Sequence, residues 1–430
     1  ENTEFVLAND IDLSAYSTGE GWTPIGSPSK SFTATFDGNG HVISKLYINR
    51  PSSGSALGLF GQVDSAEIKN IGLENVSVTG RELFIGGLLG LGLNDTMITN
   101  CYVTGSVNGG SYTGGMAGGS DGTIINSYAT GSVTGTSYLG GLLGRSAVSI
   151  TITNCYSTGN VTGSGLGQCV GGLLGQAKEA TISNSYATGS VTGRMSVGGL
   201  LGEGSSGATT TIISNSYATG SVIGSSYVGG LLGLGVKGSV INSYATGRVT
   251  GNDDVGGLLG FATGTTLDNA YYTDTTGQTN GLGLGVHYGT AQLVTMDGLH
   301  ELISQGILLD YRAKTEDKSS SKAYILQIGI NSDSSSQISF ELSGIDISAL
   351  DGLDLEEANA LSTIDEVLKS INAEQTKLGA LENRLESALE QIGVSYDNLV
   401  STQSTIRDAD IAEESSAYIR NQILQQASAT

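Results

Sequence analysis

Residues 184–202 read NSYATGSVTGRMSVGGLLG, and that stretch recurs along the chain in close variants. The pentapeptide GGLLG opens at Gly86, Gly140, Gly171, Gly198, Gly229 and Gly256, with GGMAG at Gly114 and LGLFG near Gly58 as variants. Successive copies lie 26 to 31 residues apart. Between them runs NSYATGSVTG or a near relative, as at Asn126–Gly135 and Asn242–Gly251. Its asparagines form one column, Asn70, Asn100, Asn126, Asn154, Asn184, Asn215, Asn242 and Asn269. Its tyrosines form another, Tyr102, Tyr128, Tyr156, Tyr186, Tyr217, Tyr244 and Tyr271.

Thr, Ile, Val and Tyr favour extended backbone, and each such run is short and bounded by Gly. Gly supplies the positive φ and close approaches a strand needs to turn a corner. One unit is too short to bury its own apolar side, whereas stacked units share a continuous core. The spacing therefore predicts a β-solenoid in which identical residues lie over one another. Asn amides then ladder and Tyr rings stack. Side chains alternate along a strand, so Ser127, Cys155 and Ser185 point inward together with Ala129, Ser157 and Ala187. Asn and Tyr line the other face. These columns have a complete structural explanation without any catalytic role.

Only 14% of the residues are charged and 66 are Gly, a balance suited to a turn-rich array. A net charge of −22 disfavours nucleic acid and anionic membranes as partners. Residues 341–430 hold 17 acidic and five basic side chains, as a solvated helix face does. Cys101 and Cys155 share a slot two units apart, about 10 Å at the usual strand spacing, beyond disulfide reach. With Cys169 they are too few for a disulfide framework. No apolar run approaches the roughly 18 residues of a membrane helix.

The repeats resemble the GLUG-repeat segments of bacterial surface adhesins and of some secreted proteins similar to immunoglobulin A peptidases. The opening FVLANDIDLS (5–14), GWTPIGS (21–27) and FTATFDGNGHVISKLYI (32–48) are similar to the segment preceding those repeats. Pro24, Pro28, Pro51 and Trp22 all fall here, as suits an irregular first turn followed by Pro-free rungs. The resemblance implies a right-handed β-helix: an N-terminal β segment over residues 1–57 and GLUG rungs over 58–295. It implies no activity, because such repeats serve as display or spacer modules.

From Leu361 the pattern becomes helical. Ile364, Ile371, Leu378, Leu385, Ile392, Leu399 and Ile406 fall every seven residues, beside a second line of Leu361, Leu368, Leu389 and Tyr396. Gln375, Glu382 and Gln403 interrupt that second line, which fits a bundle seam better than a two-stranded coil. Such a helix owes its stability to partners that bury the stripe.

This part closely resembles the C-terminal conserved region of bacterial flagellin. The motifs are LQIGINSDSSSQISFELS (326–343), ALSTIDEVLKSINAEQTKLGALENRLES (360–387) and IRDADIAEESSAYIRNQILQQAS (406–428). The resemblance implies a β-hairpin over 324–343 and a flagellin coiled-coil core over 344–430. Within that core a long helix over 356–398 joins the filament shell, and 403–430 enter the inner tube. Residues 296–323 read as a connection. The matching flagellin N-terminal helices are absent, so the sequence reads as a piece of a longer flagellin that should not polymerise as it stands.

The expected function is structural: a secreted, extracellular subunit of the flagellar filament, displaying the solenoid outward. Leu361, Ile364, Leu368, Ile371, Leu378, Leu385, Leu389, Ile392, Leu399 and Ile406 form the expected assembly seam. The expected partners are other flagellin subunits and the N-terminal flagellin helices, with a host innate immune receptor or surface glycans as further candidates. An adhesin whose solenoid binds glycans is the alternative. No cofactor is implied. His300 and Glu301 begin a zinc motif, but Leu302, Ile303 and Ser304 follow and no second His comes one turn later. Asp253 and Asp254 are an acidic pair on one rung, with no Asp column around them for a hydrolase or lyase site.

Overall fold

The computed structural model describes residues 3–305 apart from 53 and 205–209, together with 307–308, 322–327, 337–342 and 420. Glu1–Asp310 form one compact unit and Tyr311–Thr430 another.

The first unit is a solenoid of parallel strands. One column runs through Phe60, Leu89, Ala117, Leu143, Leu174, Leu201, Leu232, Leu259 and Leu282, each paired in parallel register with the next. Nine consecutive rungs are therefore stacked in register from one column alone. The pairing also joins Tyr102 to Tyr128, Tyr156, Tyr186, Tyr217, Tyr244 and Tyr271 in turn, so the motif columns are structural columns.

From Val133 to Val255 the rungs enclose two apolar compartments. The larger holds the two leucines of GGLLG, such as Leu173 and Leu174, with Ile152, Ile182 and Ile213 from the following strand. The smaller is a valine column, Val133, Val161, Val191, Val222 and Val249, packed on Leu139, Val170, Val197 and Val228. Fully burying one such side chain contributes about 1.5–3 kcal/mol, and repetition sums that gain along the stack.

The second glycine of GGLLG makes the waist between the compartments. A Cβ on Gly172 would lie 2.1 Å from the Gly199 carbonyl oxygen and 2.7 Å from the Ala187 Cβ. Small residues on both walls are thus a packing requirement. No GGLLG copy holds a glycine at positive φ. That corrects the expectation that these glycines turn the corners; they are there because a methyl group would not fit.

The corners belong to other residues. Every member of the Asn column, from Asn70 to Asn269, has φ between 48° and 56°. A second column, Phe84, Tyr112, Tyr138, Cys169, Ser196, Tyr227 and Asp254, holds φ between 53° and 63°. Asn tolerates this left-handed conformation better than most residues. Aromatic residues do not, so the second column is unusual.

Past the last rung strand, Leu282–Val294, comes a helix, Met296–Ser304, inside the segment read above as a connection. The Thr295 hydroxyl caps it by accepting from the Gly298 N–H at 3.1 Å, and Leu299 is buried. In the second unit, Lys322–Gln327 pairs antiparallel with Gln337–Leu342, placing Tyr324 opposite Phe340. The seam residues Leu361 to Ile406, and the long helices expected around them, lie outside the described residues.

Candidate functional site

The Asn column carries ladders of side-chain amides over Asn70–Asn154 and Asn215–Asn269. Asn100 Nδ2 donates to Asn70 Oδ1 at 3.0 Å, Asn126 to Asn100 at 3.2 Å and Asn154 to Asn126 at 3.1 Å. Further along, Asn242 donates to Asn215 at 3.2 Å and Asn269 to Asn242 at 3.0 Å. All donors point toward the first rungs, where Asn70 donates to the carboxylate of Asp37 at 3.1 Å. An anion at the acceptor end suits the polarity of such a chain.

The residue after each Asn faces inward, and its backbone N–H is captured by the hydroxyl one rung on. Cys155 N donates to Ser185 Oγ, Ser185 N to Ser216 Oγ and Ser216 N to Ser243 Oγ, at 3.1 to 3.2 Å. Each of those hydroxyls in turn donates to the carbonyl two residues before it at 2.7 Å. Ser127, Cys155 and Ser185 are buried, as are Ala129, Ser157 and Ala187, so the inward assignment holds.

The tyrosines stack face to face from Tyr102 to Tyr244, with ring centroids 4.5 to 5.2 Å apart and planes within 10°. Tyr102, Tyr128 and Tyr156 are half-buried, but Tyr186, Tyr217 and Tyr244 are buried. The outer-face assignment of Tyr therefore fails over the later rungs.

The second corner column is where rungs differ. Phe84 stacks on Tyr112 at 4.9 Å, and Tyr112 lies 4.9 Å from Tyr138. All three are half-buried. The Arg145 guanidinium sits over Tyr112, 4.8 Å from its centroid, and 5.9 Å from that of Tyr138. On the next rungs Gln176 and Glu203 follow Arg145 in register. The Glu203 carboxylate accepts from Gln176 at 3.1 Å and from the Cys169 thiol at 2.9 Å. Motif reading passed over this cluster because it looks for residues that repeat, and this column does not.

Reactive chemistry is sparse. Among the described residues no group of three or more His, Cys, Asp or Glu is placed to hold a metal. Cys101, Cys155 and Cys169 are buried thiols in no disulfide. Burial pushes the Cys101 thiol up to about 12, and burial with the neighbouring Glu203 carboxylate raises Cys169 further, so neither is a ready thiolate. Asp253 and Asp254 share a rung strand, with Asp253 accepting from Ser226 Oγ at 3.5 Å. His41 contacts Asp10 at 3.0 Å on the first rungs, far in sequence from His287 and His300.

Comparison with known proteins adds what the solenoid geometry does not. Residues 361–430 match the bacterial flagellin C-terminal helical region. Residues 85–108, 167–192 and 224–250 match the GLUG motif. The flagellin of Bacillus subtilis (strain 168) is 30% identical over 149 residues, covering 28% of this chain and 49% of that protein. Halomucin of Haloquadratum walsbyi is 38% identical over 128 residues, covering 27% of this chain and 1% of that protein. The chain thus spans about half the length of that flagellin and a very small part of halomucin. The solved structure of an IgA1 protease is 17% identical over 68% of this chain and 20% of that chain, with a TM-score of 0.37, a likeness too loose to carry an argument. The chain joins a flagellin C-terminal region to GLUG repeats.

Proposed function

With flagellin sequence at one end and GLUG rungs before it, we propose that the chain is part of a structural subunit of an extracellular flagellar filament. The observation that carries this reading is the flagellin C-terminal match over residues 361–430. Its every-seventh-residue stripe, Leu361 to Ile406, packs against helices of the same and neighbouring subunits. The solenoid stands outside that core as a displayed surface module. Its role is structural rather than catalytic: the repeated side chains are spent on ladders, stacks and two apolar compartments.

The test is electron microscopy of filaments from the full-length protein with and without residues 58–295. Filaments should persist in the deletion and lose outer density. Loss of filaments in a deletion variant whose remaining helices are folded by circular dichroism would make the solenoid part of the assembly core, and the display reading would fall.

A further inference from the structure

Stacked rungs act as internal controls for one another. Columns the fold requires are filled nearly alike: Asn holds its corner from Asn70 to Asn269, and the GGLLG leucines give way only to Phe60 and to Met116–Ala117. The second corner column is not. The same left-handed corner is built with Cys169, Ser196 and Asp254, so the fold does not need Phe84, Tyr112 or Tyr138 there. A bulky residue in that conformation costs about 1–2 kcal/mol relative to a permissive one. The facing column is equally variable, running Leu91, Gly119, Arg145, Gln176, Glu203 and Leu234 in register. The two variable columns touch on several rungs, at Cys169–Glu203 and Tyr227–Phe261 as well as where Arg145 meets Tyr112.

Arg145 is held rather than paired. Its guanidinium lies on Tyr112, and among the described residues no carboxylate is within ion-pair distance of it. Its Nε is buried without a hydrogen-bond partner. The neighbouring acids are engaged elsewhere: Asp121 on the preceding rung accepts from Ser146 Oγ and the Ala147 and Val148 N–H groups, and Glu203, two rungs on, is taken up by Gln176 and Cys169. A guanidinium held over an aromatic ring keeps a fork of donors for a planar anion. The Tyr112 and Tyr138 rings, 4.9 Å from each other on successive rungs, lie together on one side of it.

We propose that Arg145, with Tyr112 and Tyr138, forms a binding site for a carboxylate-bearing saccharide, a uronic-acid unit within a longer glycan. The carboxylate takes the guanidinium fork, and the sugar hydroxyls take the two phenol groups. A glycan running along the stack meets one ring on each of three successive rungs, Phe84, Tyr112 and Tyr138. The proposal goes beyond the filament reading and depends on outward display only for its biological use, since binding is tested in solution.

The full chain is titrated calorimetrically at about 0.15 M salt, where the repulsion from its net charge of −22 is screened beyond about 8 Å, with a galacturonate trimer and with the same trimer after reduction of its carboxyl groups. The acidic trimer should bind, and the reduced trimer should bind at least about tenfold more weakly, as loss of a charge-assisted bidentate contact implies. Arg145→Gln should weaken the acidic trimer by about the same factor without moving the unfolding temperature, and Arg145→Lys should recover only part of the loss. Arg248→Gln, an exposed arginine on another column, should change nothing. Absence of binding, equal affinity for both trimers, or equal weakening by the Arg145 and Arg248 variants would each overturn the site. None of these results touches filament assembly, so failure here is distinguishable from failure of the filament reading.

Discussion

Asn154 donates its side-chain amide to Asn126 at 3.1 Å while both hold a left-handed backbone, φ 56° and 52°. One residue type thus does two jobs on every rung: it turns the corner and ties that corner to its neighbour. The two jobs are separable by substitution.

Asn154→Gly keeps the permissive backbone and deletes the amide, so it should cost about 1 kcal/mol, the net worth of a hydrogen bond. Asn154→Ala loses both and should cost about 1–2 kcal/mol more. Chemical denaturation of the two variants beside the parent measures the split. Equal costs would mean that the corner conformation carries no penalty and the ladder alone selects Asn.

The waist gives a sharper contrast between two glycines. Gly172→Ala places a methyl group against the Gly199 carbonyl and Ala187, and overpacking of this kind costs about 1–3 kcal/mol or more. Gly165 has φ +66° with open space around it, so Gly165→Ala should cost only about 1–2 kcal/mol of backbone strain. Thermal unfolding should rank Gly172→Ala clearly lower; the reverse order would refute the waist.

Acid should loosen the first rungs before the middle of the stack. Burial alone would raise the Asp37 pKa, but the Asn39 backbone N–H, the Asn70 amide and Lys69 outweigh it and hold the group below 3.8. The Lys45 ammonium, with the Ser14 N–H, brings Asp12 down to about 2. A depressed carboxylate stabilises the fold fully above its unfolded pKa, and the gain is lost as pH falls through the folded value. Hydrogen exchange at residues 35–50 should therefore quicken relative to residues 170–200 as pH drops from about 4 toward 2. Asp37→Asn should lessen that difference, and a uniform acid response along the stack would count against the ladder's charged end.

In the full-length protein, Leu385→Asp should prevent filament formation, because it puts an unpaired charge into the seam in place of a side chain worth about 2–5 kcal/mol. Glu386→Gln, about 100° further round the helix, should leave assembly nearly untouched. Equal polymerisation of the two would show that residues 361–406 are not the assembly surface.

What could be read from the sequence follows from what repeats. GGLLG and NSYATG recur at fixed spacing, so the rung, its register and the inward slot of Ser127, Cys155 and Ser185 were all legible. The origin of the corners was not. Gly was the expected source of positive φ, yet Asn and an aromatic column supply it, because the motif glycines are needed where two backbones touch. The tolerance of Asn for that conformation was the available clue. The depth of the Tyr column was also hidden, since Tyr156 and Tyr186 sit in near-identical sequence but differ in burial. The Met296–Ser304 helix had a signal in Thr295 and the Leu299–Ile303 spacing, masked by its Gly298. The Arg145 cluster had none, because its members come from positions that vary between rungs.

Because the rungs from Gly140 to Gly260 offer their neighbours the same leucines, valines and waist, that part of the stack contains no unique joint. Excising or duplicating one whole unit, for instance the 27 residues from Gly171 to Val197, would bring Gly140 and Gly198 units together in the same register their present neighbours have. In genetic terms the array is free to lengthen or shorten by recombination between copies, one strand spacing at a time. The length of the stack can drift in this way while its cross-section stays constant.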